Sequence, residues 1–420
     1  MLLLRCAAIA LFTTWLPAQI GLGDVVVTGF SSTQFGVIRP NNAVNGYTTG
    51  GFLGTGSSQA VLWDPNQPQS VLLGGFGFLG RATVTGASGT AVGYSLLTTN
   101  VGIVSQMSWD DAGFVVFVDS TAAQVRRLEP VTGTVVDVST GPQPWGTELS
   151  AGAWDPATGD VVCGGNGGIW RLPLGSPTGV PIVTGLGGYV SGIQFDPVTG
   201  EILATVLTVN RVIRIDGNHV VTDVAPPFSV PGPNALAIDH GGDLIAGGGT
   251  GQVYRIPRTG GSPTFLAANT SPANAVNGLT VVGAGGYALP FGAPCLASNG
   301  LATLRASGPF LVGSTVTTRS ENHMPNAAGL LAFGLSRTSW LSVPLPVSLD
   351  PVFGTAGCDL LVSLDLTLAG VASATAPAEL TFAFVVPPAF AGQTVFLQHA
   401  SLEPVAGGLA ASNGLVLHLP

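Results

Sequence analysis

The chain has 420 residues, which is long enough for two or three domains with a sizeable core. Charged residues make up only 8% of it, against about 25% in an ordinary globular protein, while the apolar fraction of 46% is normal. All 13 positive charges are arginine, and the net charge is -9. This composition excludes a disordered chain. It also disfavours binding to a phosphate backbone or, through a basic patch, to an anionic membrane.

Residues 1–18 have the pattern of a secretory signal peptide. Arg5 is the lone positive charge, an apolar segment covers residues 6–16, and Ala18 offers a small residue at a cleavage point. The segment is shorter than the roughly 20 apolar residues of a membrane-spanning helix. The alternative is a buried N-terminal helix. We expect a secreted protein, extracellular or at the cell surface, whose mature chain has no membrane span.

The middle of the chain repeats a short apolar run that ends on an aspartate. The repeated residues are Asp110, Asp155, Asp196 and Asp239, which are 45, 41 and 43 positions apart. Each is followed by three more short apolar runs, and the second of these carries an arginine. Four short strands per roughly 40–45 residues is the period of a β-propeller blade. The sequences DPATG and DPVTG indicate that these aspartates form tight turns rather than bind a ligand.

No helical periodicity follows the signal segment, so we predict an all-β fold. Residues 19–290 are expected to form a β-propeller, and the blade period gives about six blades, with five or seven as alternatives. The motif NAVNG occurs at residues 42–46 and again at residues 274–278. This recurrence suggests that N-terminal and C-terminal strands complete one shared blade, which would close the ring without exposed strand edges.

Residues 291–420 are predicted to form a C-terminal β-sandwich, because short apolar runs alternate there with Gly/Pro turns. Three cysteines remain after signal cleavage. Cys295 and Cys358 both lie in this segment and are the candidate disulfide of an oxidising compartment. Cys163 lies in an apolar strand and is expected to be a small buried residue.

Three segments resemble known families. Residues 105–290 resemble NHL-type and lactonase-like propeller blades, and residues 58–94 resemble a HAF-type repeat through SQAVLWD, LLGG and GTAVGY. The C-terminal segment is similar to a β-domain common in large secreted proteins of environmental bacteria. That similarity rests on FGAPC, GCDL and GQTVFLQ, and its two cysteines match the proposed pair. The resemblances imply an extracellular scaffold, and they supply no catalytic residue.

Motifs for catalysis are missing from the sequence. It contains no GxSxG, HExxH, CxxC or Walker motif, and its five histidines are not spaced as a metal pair. We therefore predict no catalytic and no metal-binding residue. The loops that lead into the inner strands remain as a candidate ligand-binding face. Its candidate residues are Trp145, Glu148, Tyr189, Asn234 and Asn274. The loops between second and third strands add Asp119, Asn166 and Asn210.

A ring of small polar residues is expected at the channel mouth. It consists of the residues five positions before the repeated aspartates, with two more matched by the NAVNG motif: Ser105, Ser150, Ser191, Asn234, Asn274 and Asn42. Such a ring either holds water, a cation or a sugar hydroxyl or satisfies backbone groups at strand ends.

Two functions follow from these observations. The first is a secreted, non-catalytic binding protein without a cofactor, with a protein or glycan partner at the cell surface and the sandwich as an attachment module. The alternative is a hydrolase or lyase, lactonase-like or streptogramin-lyase-like, with a divalent cation such as calcium in the channel. The lactonase-like resemblance implies an ion held by acids and asparagine, and only Glu148 and Asp119 are suitably placed acids. A purely structural role in a wall or matrix is a third reading.

Overall fold

The fold is derived from a computed structural model. It describes residues 20, 23–29, 34–48, 58–65, 67, 69–85, 92–110, 112–140, 143–155, 158–196, 199–239, 242–268, 275–282, 287–307, 310, 313–353, 357–390, 393–403 and 408–419. The predicted signal peptide, residues 1–18, lies outside this part of the chain, as does Asn274.

The first two thirds of the described chain are short antiparallel strands. In chain order they are β1 (Val25–Gly29), β2 (Gln34–Ile38), β3 (Val44–Thr48), β4 (Ser58–Trp63), β5 (Ser70–Gly75), β6 (Phe78–Thr83), β7 (Gly93–Thr98), β8 (Val104–Trp109), β9 (Val115–Asp119), β10 (Gln124–Leu128), β11 (Val135–Asp137), β12 (Leu149–Asp155), β13 (Asp160–Leu172), β14 (Val180–Phe195), β15 (Ile202–Val206), β16 (Arg211–Ile215), β17 (Val221–Asp223), β18 (Ala235–Ile238), β19 (Leu244–Gly247), β20 (Gln252–Ile256), β21 (Thr264–Ala268) and β22 (Val276–Val281).

These strands form a β-propeller of six blades. Blade 1 is β4–β7, blade 2 is β8–β11, and blade 5 is β18–β21. Blades 3 and 4 share one sheet in the order β12-β13-β14-β15-β16-β17, because β14 pairs with β13 through its first part and with β15 through its last residues. Blade 6 has the order β22-β1-β2-β3, so strands from both ends of the propeller complete it, as the sequence predicted.

The inner strands surround a central channel. They are β4, β8, β12, the end of β14, β18 and β22, and each contacts the next around a closed ring. Their apolar side chains pack between blades. Val104 and Met107 of blade 2 lie in one cluster with Leu72 and Leu79 of blade 1. The closed ring thus buries apolar side chains on the faces between neighbouring blades, while one edge of each inner strand faces the channel.

An Asp–Arg ion pair recurs in every blade, and its aspartate is buried in all of them except blade 5, where Asp239 is partly exposed. Each aspartate lies at or next to the end of the inner strand of its blade. Each arginine lies 15–18 positions later along the chain. The pairs are Asp24–Arg39, Asp64–Arg81, Asp110–Arg127, Asp155–Arg171, Asp196–Arg214 and Asp239–Arg255. Three of these aspartates, Asp110, Asp196 and Asp239, also accept backbone N–H groups in their turns. Asp110 Oδ1, for example, accepts from Ala112 at 2.8 Å and from Phe114 at 2.9 Å. The turn role predicted from the sequence is present, and the arginine partner adds to it.

The last third of the described chain forms the β-sandwich. Its elements are β23 (Tyr287–Phe291), β24 (Leu296–Ala297), β25 (Gly300–Leu301), β26 (Leu304–Ser307), β27 (Thr315–His323), β28 (Ala328–Gly334), β29 (Ser339–Trp340), β30 (Val343–Pro344), β31 (Val347–Ser348), α1 (Asp350–Phe353), β32 (Asp359–Leu360), β33 (Leu366–Val371), β34 (Ala378–Val385), the 3-10 turn Pro388–Phe390, β35 (Gln393–Glu403) and β36 (Gly408–Leu419).

Two sheets face each other in this part. One has the order β23-β36-β35-β28-β33 and the other β26-β27-β34. Leu331 and Leu397 of the first sheet pack with Val316 and Leu380 of the second in one core. Strand β23 straddles the predicted boundary after residue 290 and pairs with β36, so it belongs to the sandwich sheet.

The predicted disulfide between Cys295 and Cys358 is confirmed, with the two Cα atoms 5.1 Å apart. Cys163 is free and fully buried, as expected. Among the described residues, no helix is long and apolar enough to cross a membrane.

We predict that Arg81→Met lowers the free energy of unfolding of the propeller by about 3 kcal/mol, because it leaves the carboxylate of Asp64 buried without its partner. Arg81 Nε lies 2.8 Å from Asp64 Oδ2, and the Asp64 side chain is 0% exposed. Urea unfolding followed by tryptophan fluorescence measures the change, since Trp63, Trp109 and Trp154 all lie on inner strands.

The matched control is Arg211→Met. Its pair with Asp223 is partly exposed on both sides, so its loss should cost no more than about 1 kcal/mol. Equal costs for the two substitutions would contradict a structural role for the buried pairs.

Candidate functional site

A β-bulge at the same place in the inner strands builds the ring at the channel mouth. In five blades one residue of the inner strand has no partner in the pairing with the second strand. In blades 1 to 4 this residue lies five positions before the aspartate of the blade. The five residues are Gln59, Ser105, Ser150, Ser191 and Asn277. In blade 5 the amide of Asn234 donates to the Gly247 carbonyl at 2.8 Å, beside the Ala235–Gly247 pair. A bulge re-aims its side chain, so each blade contributes one polar residue here.

Two members of the predicted ring are corrected. The residue from β22 is Asn277, three positions after the predicted Asn274. The residue from blade 1 is Gln59, because Asn42 precedes β3, the outermost strand of blade 6. The two NAVNG motifs therefore belong to one blade but to its innermost and outermost strands, so they do not occupy equivalent positions.

Five ring residues form hydrogen bonds across blade boundaries, either with one another or with a backbone carbonyl of the next blade. Ser150 Oγ donates to the Val190 carbonyl at 2.5 Å, and Ser191 Oγ donates to the Pro233 carbonyl at 3.0 Å. Asn234 Nδ2 donates to Asn277 Oδ1, whose own amide donates to Gln59 Oε1 at 2.7 Å. These bonds run from blade 3 through blades 4, 5 and 6 to blade 1. The ring thus satisfies polar groups at strand ends, which is the second of the two roles considered for it.

Gln106 fills the channel just below the ring. Its Nε2 donates to the Ile193 carbonyl at 2.6 Å, and its Oε1 accepts from the amides of Gly152 at 3.0 Å and Ile193 at 3.1 Å. One side chain of blade 2 thereby ties blades 3 and 4 together. The corresponding residue in the other blades is alanine or glycine, which leaves room for the larger glutamine.

The channel around Gln106 is narrow and uncharged. Its lining includes Ser105, Ser191, Gln194 and Asn277, with a cavity volume of about 20 Å³. A water molecule needs roughly 10–15 Å³ measured in this way, so the cavity has room for about one. Ser105 Oγ is buried and has no hydrogen-bond partner among the described residues. Within the described part of the chain, this cavity therefore has no space for an organic ligand.

The outer rim of the channel is the upper face, which we define as the loops leading into the inner strands and those between second and third strands. Contacts between the two loop sets hold it together. Phe76 of blade 1 bridges to Ile103, which leads into β8, and Asn166 of blade 3 pairs with Tyr189.

The predicted ligand-binding residues are distributed unevenly on the upper face. Glu148 is exposed, whereas Tyr189 and Asn234 are partly buried. Trp145 is only 5% exposed, donates its indole N–H to the Ala123 carbonyl at 2.9 Å, and packs edge-on against Trp170. This packing gives Trp145 a core position and argues against its predicted contact with a ligand. Asn274 lies outside the described residues.

Two of the three additional polar candidates on the upper face, Asp119 and Asn210, are used inside the protein, whereas Asn166 is exposed. Asp119 is 1% exposed, and its carboxylate accepts from Gly102 at 2.8 Å and pairs with Arg126 at 3.3 Å. Asn210 Oδ1 accepts from the amide of Gly232 at 2.6 Å. Among the described residues, no three His, Cys, Asp or Glu side chains are grouped as metal ligands.

A second polar cluster, missed in the sequence, lies between the sheets of the sandwich. Ser320 Oγ is 2.6 Å from His323 Nε2, and His323 Nδ1 is 2.8 Å from Glu403 Oε1. The ring of His399 contacts Ser320 Oγ at 2.8 Å through Nδ1. The bonds follow the order of nucleophile, base and orienting acid, but all four side chains are 0% exposed. No substrate can reach Ser320, so the cluster stabilises the sandwich core.

Burial decides the charge states in this cluster. It lowers the pKa of His399 from its usual 6.5 to about 3, with His323 nearby adding to the effect. For Glu403, burial opposes the shift, yet hydrogen bonds from Ser298, Ser401 and His323 together lower its pKa. His399 is therefore neutral and Glu403 ionised at neutral pH.

Comparison with known proteins bears on the fold. No family model and no curated protein matches the chain. Among solved structures, a nidogen/laminin complex aligns at 11% identity and a TM-score of 0.48, over 62% of this chain and 98% of that chain. A gluconolactonase from Xanthomonas campestris aligns at 12% identity and a TM-score of 0.44, over 62% and 92%. Virginiamycin B lyase from Staphylococcus aureus aligns at 14% identity and a TM-score of 0.42, over 57% and 79%. Identities this low say nothing about what this chain binds or catalyses, and the NHL-type and HAF-type resemblances stay predictions.

We predict that Gln106→Leu lowers the free energy of unfolding of the propeller by about 3 kcal/mol, because three backbone groups around the channel lose their partner. The neighbouring substitution Ser105→Ala is the control. It removes a buried hydroxyl that has no described partner, so stability should stay within about 0.5 kcal/mol or rise. Urea unfolding measures both, and a larger loss for Ser105→Ala would contradict this account of the channel.

We also predict that the sandwich loses stability as the pH falls below about 6.5. An unfolded His399 takes up a proton below that pH, while the folded one stays neutral down to about 3. Unfolding is therefore favoured by about 1.4 kcal/mol per pH unit between these values. The lowered pKa of Glu403 acts in the same direction as the pH falls through the usual pKa of a free glutamate.

Thermal unfolding between pH 7.5 and pH 4 tests this dependence. The variant His399→Gln keeps hydrogen-bonding groups near Thr318 and Ser320 but does not titrate. Its melting temperature should vary less with pH than that of the natural protein. An unchanged pH dependence would show that other groups govern it.

Proposed function

We propose that the protein is a secreted, non-catalytic binding protein that recognises its ligand on the upper face of the propeller. The filled channel carries this proposal. Gln106 bonds to three backbone groups inside it, and the remaining cavity has room for about one water molecule. A ligand must therefore contact the loops around the mouth rather than enter the propeller.

The chemistry of the ring supports binding over cation-assisted catalysis. Its six residues carry amides or hydroxyls and no carboxylate. Divalent cations such as Ca²⁺ prefer several oxygen ligands that include carboxylates. Asp119 is one of the two acids that the sequence analysis places near the mouth, and it is already paired with Arg126. The hydrolase or lyase alternative therefore rests on Glu148 and on residues outside the described part of the chain.

The compartment belongs to the proposal. The signal-like segment at residues 1–18 is the reason to expect export. The disulfide between Cys295 and Cys358 is compatible with an oxidising compartment. The sandwich, which follows the propeller in the chain, would then serve as the attachment module that holds the upper face toward a partner at the cell surface.

We predict that the fluorescently labelled mature protein binds to a glycan on a glycan array or to the surface of intact cells. The double variant Glu148→Ala/Tyr189→Ala should bind at least tenfold more weakly, because it removes the exposed acid and the adjacent partly exposed phenol of the face. Val131→Ala is the control. Val131 is 87% exposed in the turn between β10 and β11, at the opposite face.

Calcium gives a direct test of the alternative. A bound ion raises the melting temperature in proportion to ln(1 + [L]/Kd), so no shift is expected at millimolar calcium. A clear shift, together with calcium-dependent turnover of a lactone or a cyclic depsipeptide, would overturn the binding proposal. Loss of binding in Val131→Ala as large as in the double variant would place the site elsewhere.

A further inference from the structure

We propose that the upper face binds an extended protein segment that presents an apolar side chain and, some residues away, a lysine or arginine, with Phe228 as the apolar anchor and Glu148 as the charged contact. This inference rests on the proposed function, whose ligand class it narrows from glycan or protein to protein. Four observations carry it: the exposure of Phe228, its backbone conformation, its connection to Glu148, and the internal use of the ring.

Phe228 is displayed to solvent on the loop that leads into β18. Its side chain is 69% exposed, whereas Val230 in the same loop is 1% exposed and anchors the loop in the core. Large aromatic side chains contribute strongly to binding when a partner covers them, since they bury much apolar area with few rotatable bonds. An exposed phenylalanine that the protein itself does not cover is therefore available to a partner.

The backbone at Phe228 is held in an unfavourable conformation. Its φ is 65°, in the left-handed region that bulky residues rarely occupy. The loop keeps it there through a hydrogen bond from the Phe228 amide to the Asn210 carbonyl at 2.9 Å and one from the Gly232 amide to Asn210 Oδ1 at 2.6 Å. Prolines at positions 226, 227, 231 and 233 restrict the loop further. Strain of this kind costs free energy, and it persists where the surrounding structure fixes a functional residue.

Phe228 and Glu148 are ends of one continuous strip on the upper face. Backbone hydrogen bonds link its members from blade to blade: the Asn166 amide to the Glu148 carbonyl at 3.4 Å, the Leu207 amide to the Tyr189 carbonyl at 2.8 Å, and the Asn210 amide to the Leu207 carbonyl at 3.2 Å. Asn166 pairs with Tyr189, and Asn210 holds Phe228. The strip therefore crosses the loops of blades 3, 4 and 5 without a break, with Tyr189 in the middle.

Charge and hydrogen bonding select the kind of ligand. A glycan is recognised through its hydroxyl groups, which need free donors and acceptors. Ser150, Ser191, Asn234 and Asn277 already use theirs between blades. Glu148 makes no ion pair with any residue that the structure describes, and the chain has a net charge of -9. An apolar anchor at one end of the strip and an acid without an ion pair at the other, on an acidic protein, fit an extended segment with apolar and basic side chains.

The test uses a phage-displayed library of random dodecapeptides, selected on the mature full-length protein. We expect the selected peptides to combine an aromatic or aliphatic residue with lysine or arginine. For a synthetic peptide of the selected sequence, Phe228→Asn should raise Kd at least tenfold, and Glu148→Gln should raise it at least threefold. Added salt should weaken binding to the natural protein more than to Glu148→Gln.

Phe228→Asn separates binding from folding. Asparagine tolerates the left-handed conformation, so the melting temperature should stay unchanged or rise while affinity falls. Val131→Asn, on the opposite face, is the matched control and should leave Kd unchanged.

Three results would overturn the inference: a library that yields no binder, selected peptides that bind Phe228→Asn as well as the natural protein, or a drop in melting temperature that accounts for the lost affinity. Glycan binding that survives Phe228→Asn would also overturn it, yet the proposed function would stand. Catalytic turnover without any binding partner would overturn both.

Discussion

The pairing of β1 with β22 is the constraint on which the propeller depends. Residues Val25–Thr28 bond to the innermost strand of blade 6, so the N-terminal strands supply the three outer strands of a blade whose core strand comes last. The entropic cost of joining distant segments grows only with the logarithm of the loop length. The strands that this pairing joins are about 250 residues apart, so closure costs about 3–4 kcal/mol more than a local hairpin, yet it completes blade 6 and fixes the inner strands around one axis. The bulges at the channel mouth can face one another only because this ring is closed.

The low charge of the chain makes its ion pairs unusual. With 13 positive charges in 420 residues, six arginines pair with aspartates, one in each blade, and five of these aspartates are buried. Arginine suits this place because its planar group can donate several hydrogen bonds at once and stays charged when partly buried. Arg258 extends the pattern by reaching Asp196 of the neighbouring blade at 2.9 Å. About half of the arginines are therefore committed to these pairs, and among the described residues Glu148 is an upper-face acid that makes no ion pair.

How far the sequence predicts the structure depends on whether a signal is local. The aspartate period gives the blades, and the turn sequences give the direction of the chain, because both are set within a few residues. The ring was only partly found: Ser150 and Ser191 follow from the period, whereas Asn277 and Gln59 need the pairing register, which the NAVNG motif misrepresents. The buried cluster of Ser320, His323, His399 and Glu403 joins strands about 80 positions apart and has no local signal except polar residues that alternate along two strands. Trp145 was predicted wrongly for the opposite reason. Its loop sequence suggests a residue that contacts a ligand at the surface, and only the structure shows that its side chain is buried.

Assembly and recognition use different parts of the same molecule. Most of the polar side chains that line the channel, Ser105 excepted, hold blades together, and Gln106 does so for two blades at once. A site there would have to break bonds on which the ring depends, so binding to the channel would oppose folding. The exposed side chains of the upper-face loops are not needed to hold the blades together. Their backbone is fixed by hydrogen bonds to the blades below, while the side chains of Glu148 and Phe228 stay free for solvent or a partner. A propeller built in this way separates stability from specificity, since the loops can change their side chains without disturbing the ring that supports them.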